Sequence, residues 1–132
     1  MKEIAIYGAG GHGREVAWLV HSCNQDEEVY QVVCFIDDNE AMHGAVVNGI
    51  PVMGLAMARE RFSQASVVGG VGAPRIRQRL MEKAAASGFG FATIIHPSVE
   101  LSPWIEIGLG TVICGGCILT TNITLGRHVQ IT

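Results

Sequence analysis

The chain has 132 residues, a formal net charge of −3 and a hydrophobic fraction of 48%, enough apolar material for one ordinary domain or two small ones. That charge balance leaves no broad basic surface for nucleic acid or an anionic membrane, and no apolar run approaches the roughly 20 residues of a membrane span. Four cysteines at positions 23, 34, 114 and 117 are too few and too uneven for a secreted disulfide scaffold. With no signal-peptide pattern at the start, they predict a reducing, cytoplasmic setting.

The first half alternates strand and helix signals. Residues 4–7 form a short apolar strand, followed by the glycine loop of "IYGAGGHGRE". Residues 14–23 read as a helix, with Val16, Leu19, Val20 and Cys23 on one face at helical spacing. "YQVVCFI", residues 30–36, is β-branched and aromatic and predicts a second strand that ends at Asp37 and Asp38. "VNGIPVMG" reads as a loop with a short extended piece, and residues 55–62 as a short helix. Residues 65–71 form a third strand, closed by Gly69, Gly70 and Gly72. Pro74 opens a helix running to about Ala86, with Gly88 as its stop. Residues 91–95 read as a fourth strand. Strands alternating with helices imply parallel pairing.

After Ile95 the period changes to six. Ile95, Leu101, Ile107, Ile113, Leu119, Leu125 and Ile131 recur without a miss, and a smaller or β-branched set lies two residues before each. Neither a helix nor a hairpin series produces that spacing. A hexapeptide repeat builds a parallel β-helix, with the large aliphatic inward and glycines at the tight corners. The predicted division is 1–95 for a small Rossmann-like parallel-sheet domain and 96–132 for the start of the β-helix, packed together directly. Trp18 and Trp104 are expected in core and junction packing.

The glycine loop, "FIDD", "GGVGAPRIR", "IIHPSV" and then hexads form a specific order. It resembles the sialic-acid and bacillosamine type of sugar acetyltransferases, over nearly the whole chain. The resemblance implies a left-handed β-helix, an N-terminal domain that binds a nucleotide-activated sugar or a sialic acid, acetyl-CoA as co-substrate, and a homotrimer. It also implies a general-base histidine on a later coil, beyond Thr132. The expectation is therefore the front portion of a longer enzyme, carrying mainly the sugar-nucleotide-binding part.

Candidate site residues follow from chemistry and from that resemblance. Gly8, Gly10, Gly11 and Gly13 place backbone N–H groups at a helix start, where a diphosphate can approach. NAD and a sugar nucleotide both offer a diphosphate, so an NAD(H)-binding oxidoreductase or sensor stays open, as does a non-catalytic sugar-nucleotide-binding or trimerising module. His12, inside the loop, could donate to a phosphate or sugar oxygen. Asp37 and Asp38 could take ribose or sugar hydroxyls. Gly70 and Gly72 shape the second glycine turn. Of Arg75, Arg77 and Arg79, the resemblance selects Arg77 for a phosphate, leaving the other two on a solvated face. Cys114 and Cys117 spell C-x-x-C, but fall on solenoid positions without a second ligand pair, so no metal site is expected. His96 and His128 are the candidates for a base inside the chain, each weighed against a structural role.

Overall fold

The computed structural model describes residues 1–25 and 27–131. A six-stranded sheet holds β1 (Lys2–Tyr7), β2 (Tyr30–Ile36), β3 (Val46–Val47), β4 (Ile50–Met53), β5 (Ser66–Gly69) and β6 (Gly90–Phe91), in the order β3-β4-β2-β1-β5-β6. All neighbours are parallel except the β3–β4 hairpin. Three helices accompany it: α1 (Gly11–Ser22), α2 (Leu55–Arg61) and α3 (Pro74–Ala86). The chain runs from β1 to β2 and β4 on one side, then jumps to β5 on the other side of β1. That reversal leaves a crevice beyond the carboxyl ends of β1 and β5, the usual ligand position in open α/β sheets.

Alternation along β1 divides the core. Ile4 and Ile6 join Val16, Val20, Phe35 and Val68 in one buried cluster. Ala5 and Tyr7 join Ile36, Val67, Met81 and Phe89 in another, because successive side chains leave a strand on opposite faces. The first cluster also takes in Ile94 and Val112, so the sheet domain and the following coil share a core.

The second half is a three-sided parallel solenoid. Its strands are β7 (Ile94–Ile95), β8 (Glu100–Leu101), β9 (Ile105–Ile107), β10 (Val112–Ile113), β11 (Ile118–Leu119), β12 (Ile123–Leu125) and β13 (Gln130–Ile131). They stack as β7-β10-β13, β8-β11 and β9-β12. The hexad aliphatics meet each other in the ladders: Ile95 with Ile113 with Ile131, Leu101 with Leu119, Ile107 with Leu125. Three hexads thus make one coil. Ile113 is fully buried, whereas Leu101 is 40% exposed.

Several expectations change. Helix α1 starts at Gly11, not Arg14, so part of the glycine loop is the first helical turn. The strand expected over residues 91–95 is two strands: β6 joins β5, and β7 opens the solenoid ladder. The short extended piece expected within residues 47–54 is there as β4, and it pairs with β2 in the sheet. Trp18 and Trp104 are 69% and 68% exposed. Trp18 lies on the face of α1 opposite Val16, Leu19 and Val20, and its ring tilts over His21 at 5.6 Å. No described helix is long and apolar enough to cross a membrane.

Candidate functional site

Two glycine turns meet at the switch point, and their glycines do different work. A Cβ on Gly8 would lie 2.8 Å from the Gly70 carbonyl oxygen, and one on Gly70 would lie 2.8 Å from the Gly8 oxygen. A Cβ on Gly13 would overlap the Gly8 oxygen. Gly8 also has φ +122, in the region that favours glycine. These three residues are buried and let the turns pack together. Gly10, by contrast, has nothing within 4 Å of its missing side chain, and Gly11 has only the Arg14 guanidinium at 3.8 Å. Gly72 faces the His12 ring at 3.8 Å. Gly10, Gly11 and Gly72 are exposed and line open space. Helix α1 has no side-chain cap and no acidic residue in its first turn. Its leading N–H groups and dipole are thus available to an anion.

The end of β2 brings in two carboxylates with separate partners. Asp37 accepts the Ala9 N–H at 3.0 Å and the Asn39 N–H at 2.9 Å, so it ties the glycine loop to the turn after β2. Asp38 accepts the Tyr7 hydroxyl at 2.6 Å and the Lys83 ammonium at 2.6 Å. Burial pulls the Asp38 carboxyl upward, but the Lys83 and Tyr7 hydrogen bonds outweigh it and hold the group below its ordinary range. The Tyr7 hydroxyl is pushed well up, by burial first and the Asp38 hydrogen bond second. Sequence reasoning missed Tyr7 and Lys83, which approach Asp38 only through the fold.

Arg77 is 8% exposed. Expected to pair with a phosphate, it instead donates from Nε to the His128 carbonyl at 2.9 Å and from one terminal nitrogen to the Val71 and Gly72 carbonyls at 3.0 and 3.1 Å. It fastens the second glycine turn to the solenoid. Arg75 and Arg79 are exposed. The His12 ring meets the Gln130 side chain through Nε2 and Oε1, and Gln130 Nε2 donates to the Gly69 carbonyl at 2.7 Å. The sequence does carry a signal for Gln130. Its ladder column is Ile94, Val112, Gln130, and the two apolar members are fully buried. A polar residue in that column needs a polar partner.

The two candidate bases lie apart. His96 Nδ1 accepts the Ser98 N–H at 3.0 Å and sits 2.8 Å from the Ser98 hydroxyl, whose oxygen accepts the Gly116 N–H. Its Nδ1 lone pair is engaged in a solenoid corner. His128 has φ 56 and packs edge-on against Phe91 at 4.6 Å. Its Nδ1 is buried without a hydrogen-bond partner. Burial, then the Arg127 and Arg77 charges, lower its basicity. His128 lines a second opening, a cleft of about 580 Å³ between α3 and the turn into β13. Cys114 packs against the first core cluster, and both it and Cys117 are free thiols.

Known proteins share this arrangement. The family described as the PglD N-terminal domain matches residues 3–84. GDP-perosamine N-acetyltransferase of Escherichia coli O157:H7 is 29% identical over 133 residues, covering 96% of this chain and 58% of that protein. UDP-N-acetylbacillosamine N-acetyltransferase of Bacillus subtilis strain 168 is 29% identical over 116 residues, covering 86% of this chain and 51% of that protein. The crystal structure of PerB from Caulobacter crescentus, in complex with CoA and GDP-perosamine, matches with a TM-score of 0.82 and 29% identity. That match covers 100% of this chain and 60% of PerB. The chain thus spans between 51% and 60% of the length of these relatives. By the extent of the domain match, and with the same fold around the crevice, the chain belongs to the sugar acetyltransferase family that carries the PglD N-terminal domain.

Proposed function

We propose that the chain is the sugar-nucleotide-binding part of an acetyl-CoA-dependent acetyltransferase, acting on an amine or hydroxyl of a nucleotide-activated sugar or a sialic acid. The observation that carries this reading is the open glycine set. Gly10 has no neighbour that forbids a side chain, and its φ of −77 is one that any residue adopts. No neighbour and no backbone angle demands glycine there, and as the α1 N-cap it leaves the helix start bare for a phosphate. In this reading Gly10, Gly11, His12, Gly72 and Asp38 face the ligand. Gly8, Gly13, Gly70, Asp37 and Arg77 build the frame that holds them.

The division of labour follows residues 1–95 and 96–132, with Ile94 and Ile95 already on the solenoid ladder. The second part is read as a left-handed hexapeptide-repeat β-helix that assembles as a trimer in the cytoplasm. The support for the repeat is the six-residue period and its three stacked ladders; handedness, trimer and location follow from the resemblance. Acetyl-CoA would supply the acetyl group: the sugar amine or hydroxyl attacks its thioester carbonyl, the C–S bond breaks, and CoA leaves as the thiol while the nucleophile gives up one proton. The residues of this chain bind the diphosphate, exclude a side chain from its path and orient the sugar. His96 is a poor base here because Ser98 occupies its Nδ1 lone pair.

Thermal denaturation with UDP-sugar or GDP-sugar against NADH tests the reading, since a ligand that binds the folded chain raises its melting temperature. A rise with a sugar nucleotide and none with NADH is expected. A rise with NADH alone would make the crevice a dinucleotide site.

A further inference from the structure

Gln130 reaches from the solenoid into the glycine loop, and its two amide atoms have different partners. The Gly69 carbonyl oxygen can only accept a hydrogen bond, so the Gln130 atom 2.7 Å from it is the amide nitrogen. The Oε1 atom then faces His12 Nε2. An amide oxygen can only accept, so Nε2 must carry a hydrogen. In the neutral ring Nδ1 therefore carries the lone pair.

Nδ1 lies on the Gly72 side of the ring, beside the exposed second glycine turn. It is the closest heavy atom to the space where a Gly72 side chain would stand, at 3.8 Å. Among the described residues, the charged group paired with it is the Glu15 carboxylate at 3.9 Å, beyond hydrogen-bond length and on the same helix. The His12 side chain is 25% exposed.

We infer that Gln130 is a positioning residue that locks His12 with Nε2 protonated, so that Nδ1 serves as a hydrogen-bond acceptor for an N–H or O–H group of the bound ligand. This reverses the expectation that His12 donates to a phosphate or sugar oxygen. A diphosphate offers oxygen acceptors, whereas the amine or hydroxyl of a sugar offers the donor that Nδ1 requires. The inference rests on the sugar-nucleotide reading for its ligand, while the lock itself stands on Gln130, Gly69 and His12 alone. It gives the solenoid a part in the sheet domain's selectivity through one side chain.

Nitrogen-15 spectra of histidine-labelled chain test the lock with the ring neutral. One tautomer with the hydrogen on Nε2 is expected for His12. Gln130→Glu, which still offers an acceptor, retains it, and Gln130→Leu gives a mixture. A majority of the Nδ1-protonated form in the unchanged chain, or no change in Gln130→Leu, would overturn the assignment. Calorimetric titration with UDP and with UDP-glucosamine tests the consequence. Gln130→Leu is expected to weaken UDP-glucosamine about 3- to 10-fold more than UDP, the range for one neutral hydrogen bond. Equal weakening of both would overturn the acceptor role. Binding of neither ligand by the unchanged chain would strike the sugar-nucleotide reading, and the spectra would then decide the lock alone.

Discussion

Arg77 and His128 lie far apart in sequence, yet the Arg77 Nε–H donates to the His128 carbonyl at 2.9 Å. The same guanidinium holds the Val71 and Gly72 carbonyls, so one buried side chain sets the second glycine turn against the coil. Arg77→Ala strips a charged donor from three carbonyls and leaves a void beside Met81 and Phe91. A loss of about 2–3 kcal/mol is expected from urea unfolding, the scale of a hydrogen bond to a charged group. A change below about 0.5 kcal/mol would place the fastening elsewhere.

The two kinds of glycine predict different stability effects. Gly13→Ala forces a methyl group onto the Gly8 carbonyl, and overpacking of this sort costs about 1–3 kcal/mol. Gly10→Ala enters open space at an ordinary φ; the N-cap preference for glycine over alanine and the stiffer unfolded chain oppose each other, so stability should stay within about 1 kcal/mol. Melting temperatures of the two variants decide it. A Gly10→Ala variant destabilised beyond that would mean that the fold, not a ligand, requires that glycine.

His128 predicts a pH dependence. Its folded basicity lies below the ordinary 6.5, so the unfolded chain binds more protons as pH falls. Stability should decline as pH drops below about 6.5 and level off below the folded value. Replacing His128 with Asn, which also tolerates a positive φ, should flatten that slope between pH 7 and 5. An unchanged slope would assign it to another histidine.

Asp38 gives a second, more acidic window. Its folded carboxyl lies below the ordinary 3.8, so its contribution is complete above that pH and fades as pH falls through the folded value. Lys83 and Asp38 side chains are 51% and 44% exposed, so water screens the pair. Lys83→Met should cost under about 1 kcal/mol at pH 7 and progressively less as pH falls below 3.8. A cost that does not shrink with falling pH would trace to packing of the Lys83 stem.

Much of this molecule was legible because its patterns are periodic. β2 and α3 lie where β-branched residues and the Pro74-to-Gly88 span predict them, and the six-residue period becomes a ladder of Ile95 on Ile113 on Ile131. β4 was legible only as a short extended piece, because Gly49 and Pro51 look like loop punctuation. Pro51 sits opposite Val46 in the short hairpin, where the chain tolerates a missing donor. Residues 91–95 looked continuous because nothing local marks the handover from one sheet to the next at Ala92 and Thr93. The site was harder to read. Glycines, Asp37 and Asp38 announce a crevice, but which glycines pack and which stand open depends on the approach of residues 8–13 to residues 69–72. The role of Arg77 depends on carbonyls supplied by two distant turns, and no sequence pattern records where a carbonyl points.

The central claim is that the ligand lies on the glycine crevice rather than in the cleft beside His128. Backbone amide NMR during titration with a UDP- or GDP-linked amino sugar measures this most directly. The account predicts the largest shifts at Gly10, Gly11, His12 and Gly72, with smaller ones at Asp38. Shifts confined to Gln78, Glu82, Arg127 and Val129, which line the 580 Å³ cleft, would contradict it.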